Sequence, residues 1–406
     1  MTPLISIAVP TRDRGRYLIH CLETALRCDP RKIEIVVSDN ASADASFVND
    51  PRFTTVKFVR QPQRIPLAAN FDAAFAACSG EYIIYVGDDD AVIPSGIGDL
   101  VEVLERRRPD IVSWPEPHYF WPSAERRGSL TIKRRHLRGG VAERDPREIM
   151  RLVCAGLWGN NAVHCGCLRR KLVEQIRARC GRYFYHLNPD AAAYGALAIA
   201  QSYFYLNRPV TLYGRSPASN TTAFASPDSA VHKMWLAENA SEVKADNLDV
   251  ESRSVAAGAL DGLLTTVRLL GTSEPSVDVA RWKARIADDL ARMPEAKRRE
   301  QLDLVNAWLG KIGQSPVSLG DPVSASYAAP HKWRRPSLGK VELAATLAFL
   351  SNSAAAVDIV EYLVGPGSLA QREPWFAATA RWARLMARAG LLSLRAAPDR
   401  RERAAA

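Results

Sequence analysis

This sequence predicts an α/β fold: a mostly parallel sheet flanked by helices, followed by an α-helical C-terminal region. Three observations carry the expectation. Short β-rich runs alternate with helical spacing through the first hundred residues, and those runs are apolar throughout rather than on one face. From about residue 230 the chain turns Ala-, Arg- and Leu-rich with helical periodicity. Strands apolar on both faces belong to parallel sheets covered by helices on either side.

The elements follow in order. "LISIAVP" (4–10) is a strand stopped by proline, and "RYLIHCLETALRC" (16–28) sets Leu18, Cys21, Leu22, Ala25 and Leu26 at helical spacing. "IEIVVSDN" (33–40) and "TTVKFVR" (54–60) read as strands, "LAANFDAAFAACS" (67–79) as a helix and "YIIYV" (82–86) as a fourth strand. A helix over "GIGDLVEVLERRRPD" (96–110) leads to a strand at "IVSW" (111–114). "GLWGNNAVHCGCLRRKLVEQI" (156–176) runs from a polar loop into a helix, and "YLNRPVTLYG" (205–214) reads as a late strand pair. A looser stretch at 313–339 separates two C-terminal helical groups.

At 406 residues the chain exceeds one ordinary core, and a prior of ~150 residues per domain suggests two or three. The net charge of +10 welcomes anionic partners without selecting one. Much of the excess is arginine in alanine-rich helical sequence, which reads as solvated surface. Seven cysteines, at 21, 28, 78, 154, 165, 167 and 180, form no CxxC pair and fit a reducing compartment. The N-terminal sequence lacks a signal-peptide pattern, and no apolar run approaches the ~20 residues of a membrane span. A cytoplasmic location, soluble or peripheral at the inner face of the membrane, is the expectation.

In open parallel sheets ligands bind beyond the carboxyl ends of the strands. Those ends carry Pro10, Thr11, Arg12, Asp13 and Arg14 after the first strand, Ser38, Asp39 and Asn40 after the second, and Gly87, Asp88, Asp89 and Asp90 after the fourth. Three adjacent carboxylates in a post-strand turn repel one another unless solvent or a cation compensates them. A bland solvated turn accounts for an isolated DDD; its place level with Asp39 and Asp13 favours a divalent-cation site, for which hard oxygen ligands suit Mg²⁺ or Mn²⁺.

The first hundred residues resemble the nucleotide-sugar-binding half of family 2 glycosyltransferases of the GT-A fold. "VPTRDRGRYLIHCLETAL", "IVVSDNASAD" and "NFDAAFAACSGEYIIYVGDDDAVIP" resemble that family's segments in order and spacing. The resemblance implies a nucleotide-sugar-binding half at 1–100, an acceptor-binding half at 101–228 and a helical region at 229–406. Pro10, Thr11 and Arg14 would line the base pocket, and Asp39 would bind the nucleobase or ribose. Asn70 would approach the diphosphate or sugar, or simply face the helix surface. Asp88, Asp89 and Asp90 fall in the DxD region, which holds the metal bridging the donor's diphosphate, with Asp89 the principal ligand. Two departures stand out. Gly87 occupies the first DxD position, and Asp13 replaces a commoner asparagine, adding a charge for Arg12 or Arg14 to neutralise.

"YFYHLNPDAAAYGALAIA" (183–200) resembles the segment that opens the family's base-bearing helix. Asp190 would then be the general base of an inverting transfer, the alternative being an ordinary helix-opening aspartate. "WGNN" (158–161) and "YGRSPASN" (213–220) would border the cleft. His164, His186 and His232 are weak metal candidates, and the cysteines of "HCGC" read as core packing.

In the C-terminal stretch from Trp375, Arg381, Arg384, Arg388 and Arg395 fall within a ~60° arc opposite Trp375, Trp382, Met386 and Ala389 at ~100° per residue. Such a basic amphipathic helix either packs on the protein or lies on anionic lipid.

The implied function is metal-dependent transfer of a sugar from a nucleotide donor, a UDP-sugar, to a glycan or lipid-linked acceptor, in bacterial surface polysaccharide synthesis; nucleic acid is not an expected partner. Two alternatives are a non-catalytic nucleotide-sugar-binding scaffold, which Gly87 favours, and a nucleotidyltransferase, whose glycine-rich phosphate loop "VPTRDRG" does not supply. "SGIGDL" follows the acidic turn rather than a first strand, which argues against a dinucleotide dehydrogenase.

Overall fold

The computed structural model describes residues 2–123, 128–133, 139–157, 165–219, 230–242, 244–248, 251–272, 275–319, 344–348 and 352–364. Its centre is an eight-stranded sheet in the order β3-β2-β1-β4-β10-β6-β11-β9. The strands are β1 (Ile5–Thr11), β2 (Ile33–Asp39), β3 (Lys57–Arg60), β4 (Tyr82–Tyr85), β6 (Ile111–Ser113), β9 (Val141–Arg144), β10 (Gly166–Arg169) and β11 (Tyr203–Leu206). β1 pairs in parallel with β2 and β4, β2 with β3, and β6 with β11. β10 runs antiparallel between β4 and β6, and β9 closes one edge antiparallel to β11.

Register positions the site. Thr11 is level with Asp39, and Ala8 with Tyr85, so the acidic turn after β4 comes out beside the end of β1. β1 is buried along its whole length, as a strand covered on both faces must be.

Helices α1 (Gly15–Ala25), α2 (Leu67–Ala76), α3 (Pro94–Arg107), α4 (Pro146–Cys154), α5 (Arg170–Cys180) and α6 (Asp190–Ile199) flank the sheet. The stretch expected to pass from loop to helix at 156–176 instead contains β10 before α5; a four-residue apolar strand leaves too short a period to read. Its "WGNN" portion, with His164, lies outside the described residues.

A second, five-stranded sheet runs β13-β8-β7-β12-β5. It gathers β5 (Ala91–Val92), β7 (His118–Phe120), β8 (Ser129–Lys133), β12 (Thr211–Arg215) and β13 (Ala344–Ala348). The expected strand pair at 205–214 is present as β11 and β12, but the two strands serve different sheets.

Among the described residues the C-terminal region is mainly helical, with β13 as a strand within it: α7 (Ala230–Asn239), α8 (Val255–Leu270), α9 (Val279–Ala291), α10 (Glu295–Lys311) and α11 (Ser353–Val364). Leu260, Leu263, Trp282, Ile286, Leu290 and Trp308 share one hydrophobic core with Phe71, Ile83, Leu168 and Tyr194. The amphipathic stretch beyond Trp375 lies outside the described residues. No described helix is long and apolar enough to cross a membrane.

Candidate active site

The sheet's carboxyl edge opens into a cavity of about 660 Å³. Pro10, Thr11 and Arg14 from the end of β1, Asn70 from α2, Gly87 to Asp90 after β4 and Asp190 at the start of α6 all line it. One space therefore receives most of the residues singled out from the sequence. Asp39 is the exception. Its carboxylate is fully buried, with Oδ1 accepting from Ser42 N at 3.1 Å and Oδ2 standing 3.6 Å from Arg60. Asn40, not Asp39, represents β2 in the cavity lining.

The three aspartates have different surroundings. Asp88 accepts from Thr11 Oγ1 at 2.8 Å and from Arg14 Nη1 at 3.2 Å, which ties the acidic turn to β1. Asp89 accepts from Ser216 N through Oδ2 at 3.1 Å, while its carbonyl receives Trp121 Nε1 at 2.8 Å. Asp90 spends both oxygens on backbone: Oδ2 on Gly87 N at 2.8 Å and Oδ1 on Gly214 N at 2.7 Å. These two bonds hold the turn against β12.

Gly87 has a reason in the same geometry. A Cβ there would stand 2.8 Å from Asp90 Oδ2, so any side chain collides with the carboxylate that pins the turn.

Burial, then the charge of Asp88, raises the Asp89 carboxyl above the usual carboxylate range. Burial, then Asp89, raises Asp90 well above it. Glu116, whose charge also raises Asp90, is itself pushed up by burial to about 7. Negative charge is thus in excess here, and a cation bound at the turn would relieve it. Among the described residues no group of three or more His, Cys, Asp or Glu side chains gathers as a metal cage. The donor set fits an open site in which Asp89, with Asp88 adjacent, supplies hard oxygens and substrate oxygens or water complete the shell.

Asp13 sits at φ 53°, a left-handed conformation that Asn and Asp tolerate better than most residues. Its Oδ1 accepts from Ala43 N at 2.8 Å. Its charge is met by Arg64 at 2.9 Å, rather than by Arg12, which pairs with Glu238 of α7, or Arg14, which pairs with Asp88.

Asn70 is buried and bonds Ser38 from both ends of its amide, accepting from Oγ at 2.8 Å and donating to the carbonyl at 3.3 Å. Across the cavity, half-buried Asp190 opens α6, its N–H donating to Asn188 Oδ1 at 3.0 Å. Burial pushes its carboxyl up to about 6.

Sequence reading missed a whole wall. Trp235, Glu238 and Asn239 of α7, and Asn247, Ser252, Arg253, Ser254, Gly258 and Asp261 in and before α8, line the same cavity. Asn239 Oδ1 caps the start of α2, accepting from Leu67 N at 3.0 Å. One signal was available: the helix "VAAGALDGLLTTVRLL", apolar elsewhere but for Arg268 in its last turn, carries Gly258, Asp261, Gly262, Thr265 and Thr266 along one face.

A mostly parallel sheet with two reversed strands, β10 inside it and β9 at its edge, and an acidic, cavity-lining turn at its carboxyl edge defines an α/β protein with a ligand site at the strand ends. Residues 6–177 match the model for Glycosyl transferase family 2, which marks that segment as a domain similar to the family. "Glycosyltransferase GlyG" of Streptococcus pneumoniae serotype 4 is 30% identical over 119 residues, 28% of this chain and 38% of that protein. "Chondroitin synthase" of Escherichia coli is 31% identical over 118 residues, 27% of this chain and 16% of its own length. A "Putative colanic acid biosynthesis glycosyl transferase WcaA" of E. coli K12 is 30% identical over 100 residues, 23% of this chain and 35% of that one. The chain thus spans well under half the length of these curated relatives. Among solved structures, S. aureus TarS 1-349 in complex with UDP-GlcNAc is 14% identical and covers 78% of this chain and 98% of its own, with a TM-score of 0.43.

Proposed function

We propose that the protein is an inverting glycosyltransferase that moves a sugar from a nucleotide donor, a UDP-sugar, to a glycan or lipid-linked acceptor. The observation that carries the reading is that the Asp88–Asp89 turn and Asp190 line one cavity, the first beside the end of β1 and the second at the start of α6. The family match over residues 6–177 and the polysaccharide-related names of two partial relatives support the reaction class.

Asp89, with Asp88, would hold Mn²⁺ or Mg²⁺, which when bound neutralises the charge developing on a nucleoside-diphosphate leaving group. Thr11 and Arg14 keep Asp88 in place at the donor side. Asp190 takes the proton from the acceptor hydroxyl as its oxygen attacks the anomeric carbon and the bond to the diphosphate breaks; one inversion results. A carboxyl raised to about 6 is ionised at neutral pH yet more basic than an ordinary aspartate, which suits that task.

The scaffold alternative drew on Gly87, and the crowding by Asp90 gives that glycine a structural reason compatible with turnover. The test combines titration with turnover. UDP binding strengthened by Mn²⁺ and lost in Asp89→Ala, together with release of UDP from a UDP-sugar, is expected. UDP binding with no donor consumed under any acceptor would leave the scaffold reading.

Membrane contact through the segment from Trp375 rests on sequence periodicity. Liposome co-sedimentation with and without residues 370–406 tests it, and equal sedimentation of both forms would remove that role.

A further inference from the structure

We propose that the buried His186–Asp261 pair is a positioning device through which α8 fixes the loop carrying Asp190. The inference rests on Asp190 being the general base. It adds that the base is held from outside the segment matching the family model, because residues 186–190 and all of α8 lie beyond residue 177.

The pair is well defined by its partners. Asn188 N–H donates to His186 Nδ1 at 2.9 Å, so the imidazole proton resides on Nε2, which faces Asp261 Oδ2 at 2.9 Å. The same Asp261 oxygen accepts from Leu248 N at 2.9 Å, and Oδ1 accepts from Asn247 Nδ2 at 3.0 Å. Asn247 is steadied in turn by Thr265 at 3.2 Å. His186, Asn247, Asp261 and Thr265 are all buried. A buried carboxylate with three donors is costly to disturb, so the loop is held at its first residue and through Asn188 at its third. Asn188 Oδ1 then accepts from Asp190 N, passing the constraint to the base.

One turn further along α8, Tyr185 Oη donates to Ala191 O at 2.6 Å and meets Thr266 Oγ1 at 2.7 Å. Gly262 allows this approach: a Cβ there would lie 3.1 Å from Ala191 Cβ and 3.6 Å from His186 Nδ1. α8 therefore grips both sides of Asp190, at residues 185–186 and at residue 191, while leaving the Asp190 side chain to the cavity.

The test uses the full chain with UDP, Mn²⁺ and a panel of UDP-glucose, UDP-galactose, UDP-N-acetylglucosamine and UDP-glucuronate. In Asp261→Asn and His186→Gln, kcat for UDP release should fall about 10- to 100-fold, the scale of a mispositioned catalytic group. KM for the donor and Kd for UDP should stay within about twofold, because the donor side is built from β1 and β4. The double variant should be no slower than the slower single, since both break one unit. Amide exchange over residues 183–194 should accelerate in both. Unchanged kcat in both singles, multiplicative losses in the double, or unchanged exchange would each overturn the proposal. If the wild type releases UDP from no donor, the glycosyltransferase reading fails on its own, and exchange at Asn188 still decides whether His186 and Asp261 hold the loop. Should Asp261→Asn fail to fold, Thr265→Val, which removes only the hydroxyl behind Asn247, reads the same exchange.

Discussion

A carboxyl held at about 6 by burial is ionised at neutral pH and protonated in mild acid. Turnover that uses Asp190 as base is therefore expected to fall as pH drops through about 6, and a pH–rate profile flat to pH 4.5 would contradict it. Asp190→Asn should lose about 10²- to 10⁴-fold in kcat, with UDP affinity unchanged by calorimetry. Asp89 and Asp90, adjacent in sequence, should part company. Asp89→Asn is expected to abolish the Mn²⁺-dependent gain in UDP affinity. Asp90→Asn should retain that gain but lower stability in denaturant unfolding by about 1–3 kcal/mol, because its amide nitrogen must face the N–H of Gly87 or Gly214. The triplet was legible as an acidic feature at a strand end. The division of labour within it was not, since it depends on β12 arriving from more than a hundred residues away.

Among the elements, α8 carries the clearest consequence. Gly262→Leu would drive a side chain into Ala191 at the start of α6 and is expected to destabilise the protein by about 1–3 kcal/mol, as overpacking does. A thermal melt indistinguishable from wild type would show that α8 can retreat from α6 at no cost. β1, β2 and β4 were readable because each is a short, mostly apolar run ended by polar residues at the site, whereas the two residues of β5 were too few to read. β10 was not readable, because four residues between two neighbours carry no period of their own, and what makes them a strand is the pairing offered by β4 and β6. The face of α8 that packs against α6 was visible as small and polar residues at helical spacing, but such a face has meaning only once its partner is known.

In the whole molecule, the helical region and the sheet share a core. Removing residues 230–406 would expose Phe71, Tyr194 and their neighbours where Leu260, Leu263 and Trp282 now pack, so a chain ending at residue 229 is expected to be insoluble or to melt far below the full chain. A soluble, cooperatively unfolding 1–229 fragment would contradict this. The same packing explains why the cavity has two sources: one wall from strand ends, where a parallel sheet always presents its loops, and one from helices far along the chain.

The sequence by itself determined the α/β class, the strand edge at which polar residues converge, the acidic turn and the candidate base, because these follow from local period and from residues adjacent in the chain. The tertiary structure alone decided that Asp39 is buried off the cavity that Asn40 lines, that Asp90 pins the turn, that a side chain at residue 87 would displace the Asp90 carboxylate, and that His186 and Asp261 meet around the Asp190 loop. Each of these depends on contacts between distant segments, which apolar periodicity cannot encode and only packing around a shared core brings together.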